Sequence, residues 1–215
     1  MNKNDSHPTN TDSAPLSFGE GSGVGNELYP IFLKLHQLNV LIVGGGNVGL
    51  EKLSFMLKSS PKANVEVVAP NFLPELVELS QKHPSVKLTQ SKFKKKMLKK
   101  RHLVIACTDN LEVNKRVYDL CRKRHLICNI ADTPSLCDYY LGGIVTKGNV
   151  KIAISTNGKS PTTAKRLREF FEEIIPDDIN KMVENLNEYR KTLKGDFQEK
   201  VDKMNEITQS LKGKQ

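Results

Sequence analysis

Asn39-Val40-Leu41-Ile42-Val43-Gly44-Gly45-Gly46-Asn47-Val48-Gly49 is the stretch that decides the fold of this chain. Its first five residues form an apolar, β-branched run, short enough for a strand and continuous enough for one covered on both faces. The glycines end that strand. From Asn47 onward Val48, Leu50, Leu53, Met56 and Leu57 recur near helical spacing, which predicts a helix over residues 47–59. G-x-G-x-x-G (Gly44, Gly46, Gly49) is a weak signal alone and a strong one between a strand and a helix. Gly44 permits the tight turn, Gly46 lets a pyrophosphate approach the backbone, and Gly49 lets the helix pack on the strand. Free amides and the positive dipole at the helix start attract phosphates. Gly44, Gly45, Gly46, Asn47, Val48 and Gly49 are therefore the candidate dinucleotide-binding residues. A merely structural glycine turn is the alternative.

Outward from this unit the pattern alternates. Strands are predicted at residues 65–68, 86–89, 103–106 and 126–130, with helices near 74–81 and 112–124. Nearly continuous apolar strands alternating with helices predict an α/β fold: a Rossmann-like parallel sheet, doubly wound, with right-handed crossovers. After Asp132 the grammar changes. Residues 144–147 and 150–155 flank Gly148-Asn149, a hairpin turn. Ser160-Pro161 starts a helix with an apolar stripe of Leu167, Phe170, Phe171, Ile174 and Ile175. Pro176 ends it, and two amphipathic helices follow, separated by Gly195. The expected organisation is a tail over residues 1–26, a cofactor domain over 27–142, a small α+β region over 143–176, and C-terminal helices over 177–215. The hairpin half has few apolar residues, so it is expected to pack on the first domain or on a second subunit.

Composition narrows the class. The chain has 215 residues, 38% hydrophobic and 27% charged, which excludes a chain disordered throughout. No apolar run approaches the roughly 20 residues of a membrane-spanning helix. Residues 1–26 are rich in Asn, Ser, Thr, Gly and Pro and have no apolar signal core, so they read as a disordered tail. Cys107, Cys121, Cys128 and Cys137 form no C-x-x-C pair, as expected of reduced thiols in a cytoplasmic protein. A net charge of +9 implies an acidic partner: nucleic acid, a membrane surface or a polyanionic small molecule.

The acid that usually holds the cofactor ribose, some 20 residues past the glycines, is replaced by Ala69-Pro70-Asn71. Asn71 can make one ribose hydrogen bond, and no Arg is present for a 2′-phosphate. Asp132 directly follows the fifth strand in Cys128-Asn129-Ile130-Ala131-Asp132-Thr133-Pro134. Ligands of open parallel sheets bind beyond the carboxyl ends of the strands, so Asp132 can serve as a general base or as an ordinary loop residue. Lysines of the run over residues 92–101 are expected on the solvated face of a short helix carrying Phe93, Met97 and Leu98. Attraction of an anionic ligand or nucleic acid is the alternative there. His7, His36, His83, His102 and His125 lack ligand spacing, and no metal site is expected.

Together these residues resemble the precorrin-2 dehydrogenases of sirohaem biosynthesis, which include the N-terminal half of the sirohaem synthases. The likeness runs from Leu28-Tyr29-Pro30-Ile31-Phe32 and the glycine turn through Ala106-Cys107-Thr108-Asp109-Asn110 with Val113-Asn114. It continues in the Asp132 segment, then Ile154-Ser155-Thr156-Asn157-Gly158-Lys159-Ser160-Pro161 and Ala164-Lys165-Arg166-Leu167-Arg168. The resemblance implies NAD-dependent oxidation of precorrin-2 to sirohydrochlorin, with the family's key aspartate at Asp132. It adds Pro70, Asn71 and Thr108 to the cofactor set. It implies that Thr156, Asn157, Gly158, Lys159, Ser160, Lys165 and Arg166, with Arg168 beside them, face the polycarboxylate substrate. It also implies a homodimer built on residues 143–176. Some members insert ferrous iron as a second activity and others do not. The family's methyltransferase half has no counterpart before Gln215, so methylation is expected from another protein. A non-catalytic NAD-sensing domain and a nucleic-acid-binding protein are the competing classes. The first would show an acid near Asn71, the second aromatic residues interleaved with the lysines; neither pattern is present.

Overall fold

The computed structural model describes residues 28–212; the expected tail over residues 1–26 lies outside them. Five parallel strands form one sheet: β1 (Asn39–Val43), β2 (Asn64–Ala69), β3 (Val86–Gln90), β4 (Leu103–Ala106) and β5 (Ile127–Ile130). Their order is β3-β2-β1-β4-β5, so the chain reverses its direction of travel across the sheet between β1 and β4. Helices α1 (Asn47–Ser59), α2 (Pro74–Gln81) and α3 (Leu111–Arg122) fill the crossovers. The doubly wound sheet expected from the sequence is the observed one.

Two-residue periodicity explains why the strands are apolar throughout. Val40 and Ile42 of β1 pack with Leu53, Met56 and Leu57 of α1 and Leu76 of α2 on one face. Leu41 and Val43 pack on the other with Val104 and Ala106 of β4 and Val117 and Cys121 of α3. Register aligns the carboxyl ends. Val43 lies beside Ala106, and Ala106 beside Ile130. Gly44, Cys107 and Ala131 therefore leave the sheet in one row.

The lysine run has the solvated face expected of it, on a shorter element than an α-helix: residues 95–98 make a single 3-10 turn between extended segments, with Leu98 buried and Phe93 and Met97 partly buried against the second face. The chain must return along a five-residue strand, about 17 Å, and step sideways over three strand spacings, about 14 Å. Ten residues of helix would reach only about 15 Å. Lys92, Lys94, Lys95, Lys96, Lys99 and Lys100 are exposed. Arg101 instead turns in and pairs with Glu66 of β2, whose carboxylate also accepts the Thr89 hydroxyl at 2.6 Å. Burial alone would raise the Glu66 pKa; the Thr89 and Arg101 hydrogen bonds outweigh it, and the carboxyl is held below its usual range.

β5 is an edge strand, and residues 134–140 cover that edge. Asp138 donates its amide to the Cys128 carbonyl at 2.8 Å and accepts the Cys128 amide on its carboxylate at 2.8 Å. Arg122 of α3 pairs with the same carboxylate. The Asn129 amide group donates to the Tyr139 carbonyl at 2.8 Å.

Beyond this strap, β6 (Gly143–Lys147) and β7 (Val150–Ile154) form an antiparallel hairpin around Gly148-Asn149, with Gly148 at φ +58°. Helices α4 (Pro161–Ile174), α5 (Ile179–Thr192) and α6 (Phe197–Thr208) follow. Ser160 caps α4, its hydroxyl accepting the Thr163 amide at 3.2 Å. The hairpin and α4 are anchored at the end of α1. Lys151 donates to the Ser59 carbonyl, and Lys58 pairs with Glu172 at 3.3 Å. No residue of α4, α5 or α6 is buried.

Candidate functional site

The glycine turn sits between β1 and α1 at the carboxyl edge of the sheet. Gly44 adopts φ +137°, a conformation side chains resist, and a Cβ there would lie 2.6 Å from the Cys107 carbonyl oxygen. A Cβ at Gly45 would collide with the Asn71 carbonyl oxygen, and one at Gly49 with the Gly44 carbonyl oxygen. Gly46 differs: a Cβ there would meet nothing within 4 Å. Gly46 is also the N-cap of α1 and offers no side chain to the first-turn amides. Those amides and the helix dipole form the kind of anion site that holds a pyrophosphate. The turn thus fits a dinucleotide: three glycines are needed by the protein's own packing, and the fourth keeps the backbone approachable. Asn47 and Val48 open the helix at this site. Pro70 and Asn71 are exposed beside it, tied in by the Leu73 amide donating to the Gly45 carbonyl at 3.0 Å.

Cys107 lines the back of the turn, and burial pushes its thiol up to about 12. It is wall, not nucleophile. The next residue, Thr108, is gripped by Asn114 of α3. Thr108 donates its amide (3.2 Å) and hydroxyl (2.7 Å) to the Asn114 side-chain oxygen and accepts its NH₂ group at 2.9 Å on its own carbonyl. Asn114 belongs to the stretch that carries the family likeness, but sequence reasoning did not place it among the site residues. The signal lay in its position: it shares one helix face with Val117 and Cys121, where an apolar residue is the rule.

Asp132 follows β5 with φ +58°, in a turn closed by the Thr133 amide on the Ile130 carbonyl at 3.2 Å. The residue is exposed, and no hydrogen bond or ion pair engages its carboxylate among the described residues. Cys137 lies beneath the turn; its sulfur accepts the Ile130 amide at 3.3 Å and donates toward the Ile130 carbonyl at 3.2 Å. Asp132, Thr108 and the glycine turn all leave the same edge of the sheet, Asp132 two strand spacings from β1, about 10 Å.

The segment from Thr156 to Ser160 joins β7 to α4. It is a tight turn: the Thr156 hydroxyl accepts the Ser160 amide at 3.2 Å, the Lys159 amide bonds the Thr156 carbonyl at 2.9 Å, and Asn157 and Gly158 take φ +50° and +74°. Because Gly143 pairs with Ile154, this turn lies at the hairpin end that receives the chain from the strap, opposite the anchors on α1. Lys159 is exposed and makes no ion pair among the described residues. Lys165 and Arg166 are exposed and reach Glu169 at 4.0 and 2.8 Å; Arg168 pairs with Glu172 at 2.5 Å. No group of three or more metal-ligating side chains occurs among the described residues, nor any helix long and apolar enough to cross a membrane.

A parallel sheet with a glycine turn at its reversal point defines a dinucleotide-binding protein. Residues 31–143, over half of the chain, match the family model described as putative NAD(P)-binding, and the protein belongs to that family. Residues 147–174 match a second model, the central part of sirohaem biosynthesis proteins. Siroheme synthase of Pseudoalteromonas translucida is 37% identical over 79% of this chain and 35% of its own length. That of Baumannia cicadellinicola is 36% identical over 78% of this chain and 36% of its own length. The chain spans about a third of the length of these curated relatives. A solved structure described as SirC, precorrin-2 dehydrogenase, superposes with a TM-score of 0.68 at 24% identity, covering 84% of this chain and 89% of that one, which is a likeness of fold.

Proposed function

We propose that this protein oxidises precorrin-2 to sirohydrochlorin with NAD as hydride acceptor. One observation carries the reading: the open glycine turn and the unpartnered Asp132 carboxylate stand on one sheet edge, about two strands apart. Desaturating the macrocycle removes two electrons and two hydrogens, as one hydride and one proton. The bound nicotinamide supplies the acceptor for the hydride. An oxygen of Asp132 takes the proton, breaking a bond to the macrocycle as the new double bond forms. Gly44 to Gly49 hold the pyrophosphate, and Pro70, Asn71 and Thr108 border the cofactor. With asparagine where the ribose-holding acid usually stands and no arginine in the Ala69-Pro70-Asn71 stretch, the site favours NAD over NADP only modestly.

Precorrin-2 carries eight carboxylates. Lys159, Lys165, Arg166 and Arg168 answer them, presented by the turn from Thr156 to Ser160 and by α4. Ferrous iron insertion is an extension of the same reading, in which Asp132 would also accept the pyrrole protons. We further propose the division into a cofactor domain over residues 27–142, a dimerisation region over 143–176 and helices over 177–215. Leu167, Phe170 and Ile174 on α4 are 39%, 52% and 51% exposed, and a second copy of this chain would cover them.

The test is anaerobic incubation of the purified protein with precorrin-2 and NAD, followed by absorbance spectra with and without ferrous iron. Equal appearance of NADH and sirohydrochlorin is expected. Binding of NAD with no turnover of precorrin-2 would return the protein to the class of non-catalytic NAD sensors.

A further inference from the structure

We infer that Asn114 is a positioning residue for the nicotinamide half of the cofactor, acting through Thr108; the inference rests on the NAD reading above. Asn114 is 4% exposed, one of two buried polar residues among those described, and it lies on the sheet-facing stripe of α3. A buried amide costs free energy unless its hydrogen bonds are met, and an apolar residue would suit the stripe. The start of α3 does not need it, because Asn110 already accepts the Val113 amide at 3.0 Å. Instead, all three of its bonds go to one residue, gripping Thr108 by its amide, its hydroxyl and its carbonyl.

Thr108 stands where that grip matters. A dinucleotide lies across the crevice at the point where strand order reverses, one nucleotide to each half of the sheet. Here the reversal falls between β1 and β4. The glycine turn after β1 serves the pyrophosphate and the adenosine half, which lies toward β2 and Asn71. The strand end across the crevice is that of β4, and its first partly exposed residue is Thr108. Two bonds from the helix behind fix its backbone and a third fixes its hydroxyl, so it meets the second nucleotide without an ordering cost at binding.

The experiment titrates wild type and Asn114→Leu calorimetrically with NAD and with ADP, which carries the pyrophosphate and adenosine but no nicotinamide. Asn114→Leu makes the stripe apolar throughout and removes all three bonds. The expected result is a loss of about tenfold or more in NAD affinity, the scale of a misplaced hydrogen bond or two, with ADP affinity unchanged. Equal losses for both ligands, or none for NAD, would overturn the inference, since a merely structural role predicts no difference between them. If circular dichroism shows that Asn114→Leu is unfolded, Asn114→Asp takes its place. It keeps the two acceptor contacts, loses the bond to the Thr108 carbonyl, and must show the same selectivity. A wild-type protein that binds ADP but not NAD would refute the cofactor reading itself.

Discussion

Gly46 is the position of the glycine turn at which a side chain would meet no protein atom, and this separates binding from folding. Its φ of −88° suits any residue. Gly46→Leu is therefore expected to keep the fold, followed by circular dichroism, while a calorimetric titration shows NAD affinity lost; unchanged affinity would remove the dinucleotide from this turn. The same substitution at Gly44 or Gly45 would strike the Cys107 or Asn71 backbone and damage the fold as well. The turn was legible in the sequence because its spacing is fixed by packing. Asp132 was legible by its place after a strand, but its φ of +58° was not. Aspartate tolerates the left-handed region better than most residues, and asparagine tolerates it equally. Asp132→Asn thus preserves backbone and shape, whereas Asp132→Ala adds strain of about 1 kcal/mol. Asn114 was visible only as part of the family likeness; its burial and its hold on Thr108 were not, because a helix Asn reads as surface until the sheet is known to lie beneath it.

Among the elements, helices α1 and α2, β1 and β4, the hairpin and the Ser160 cap were readable from periodicity and capping chemistry alone. The strap over residues 134–140 and the 3-10 turn after β3 were not. Their positions follow from the free edge of β5 and from the distance between the ends of β3 and β4, which are properties of the assembled sheet. The strap carries a pH dependence. The Arg122 guanidinium bonds the Asp138 carboxylate, and this outweighs burial and holds its pKa below the usual aspartate range. A carboxyl depressed in the folded state contributes stability above its unfolded pKa, about 3.9, and loses it as pH falls further through the folded value. Thermal unfolding followed from pH 7 to about pH 3 should show this loss in the wild type. Asp138→Asn should be less stable at neutral pH, with a flatter profile below the aspartate range. Identical profiles would mean that the Arg122–Asp138 pair contributes nothing.

At the scale of the whole molecule, the first half closes its core on both faces of the sheet, and the second half does not. Among the residues of β6, β7 and the three helices after them, only Val145 and Ile154 are buried apolar side chains. Phe170, Ile174, Phe197 and Leu211 stay more than half exposed. A second copy burying the α4 stripe is the expected solution, so light scattering should give about twice the 24.1 kDa chain mass; a monomer at micromolar concentration would contradict it. The proposed oxidation turns on one group at the carboxyl edge of the sheet. The most direct measurement is the rate of precorrin-2 oxidation by Asp132→Asn, alongside its NAD affinity. The account predicts a fall of roughly 10²–10⁴ in rate with NAD affinity retained. Oxidation at the wild-type rate, or activity lost together with NAD binding, would contradict it.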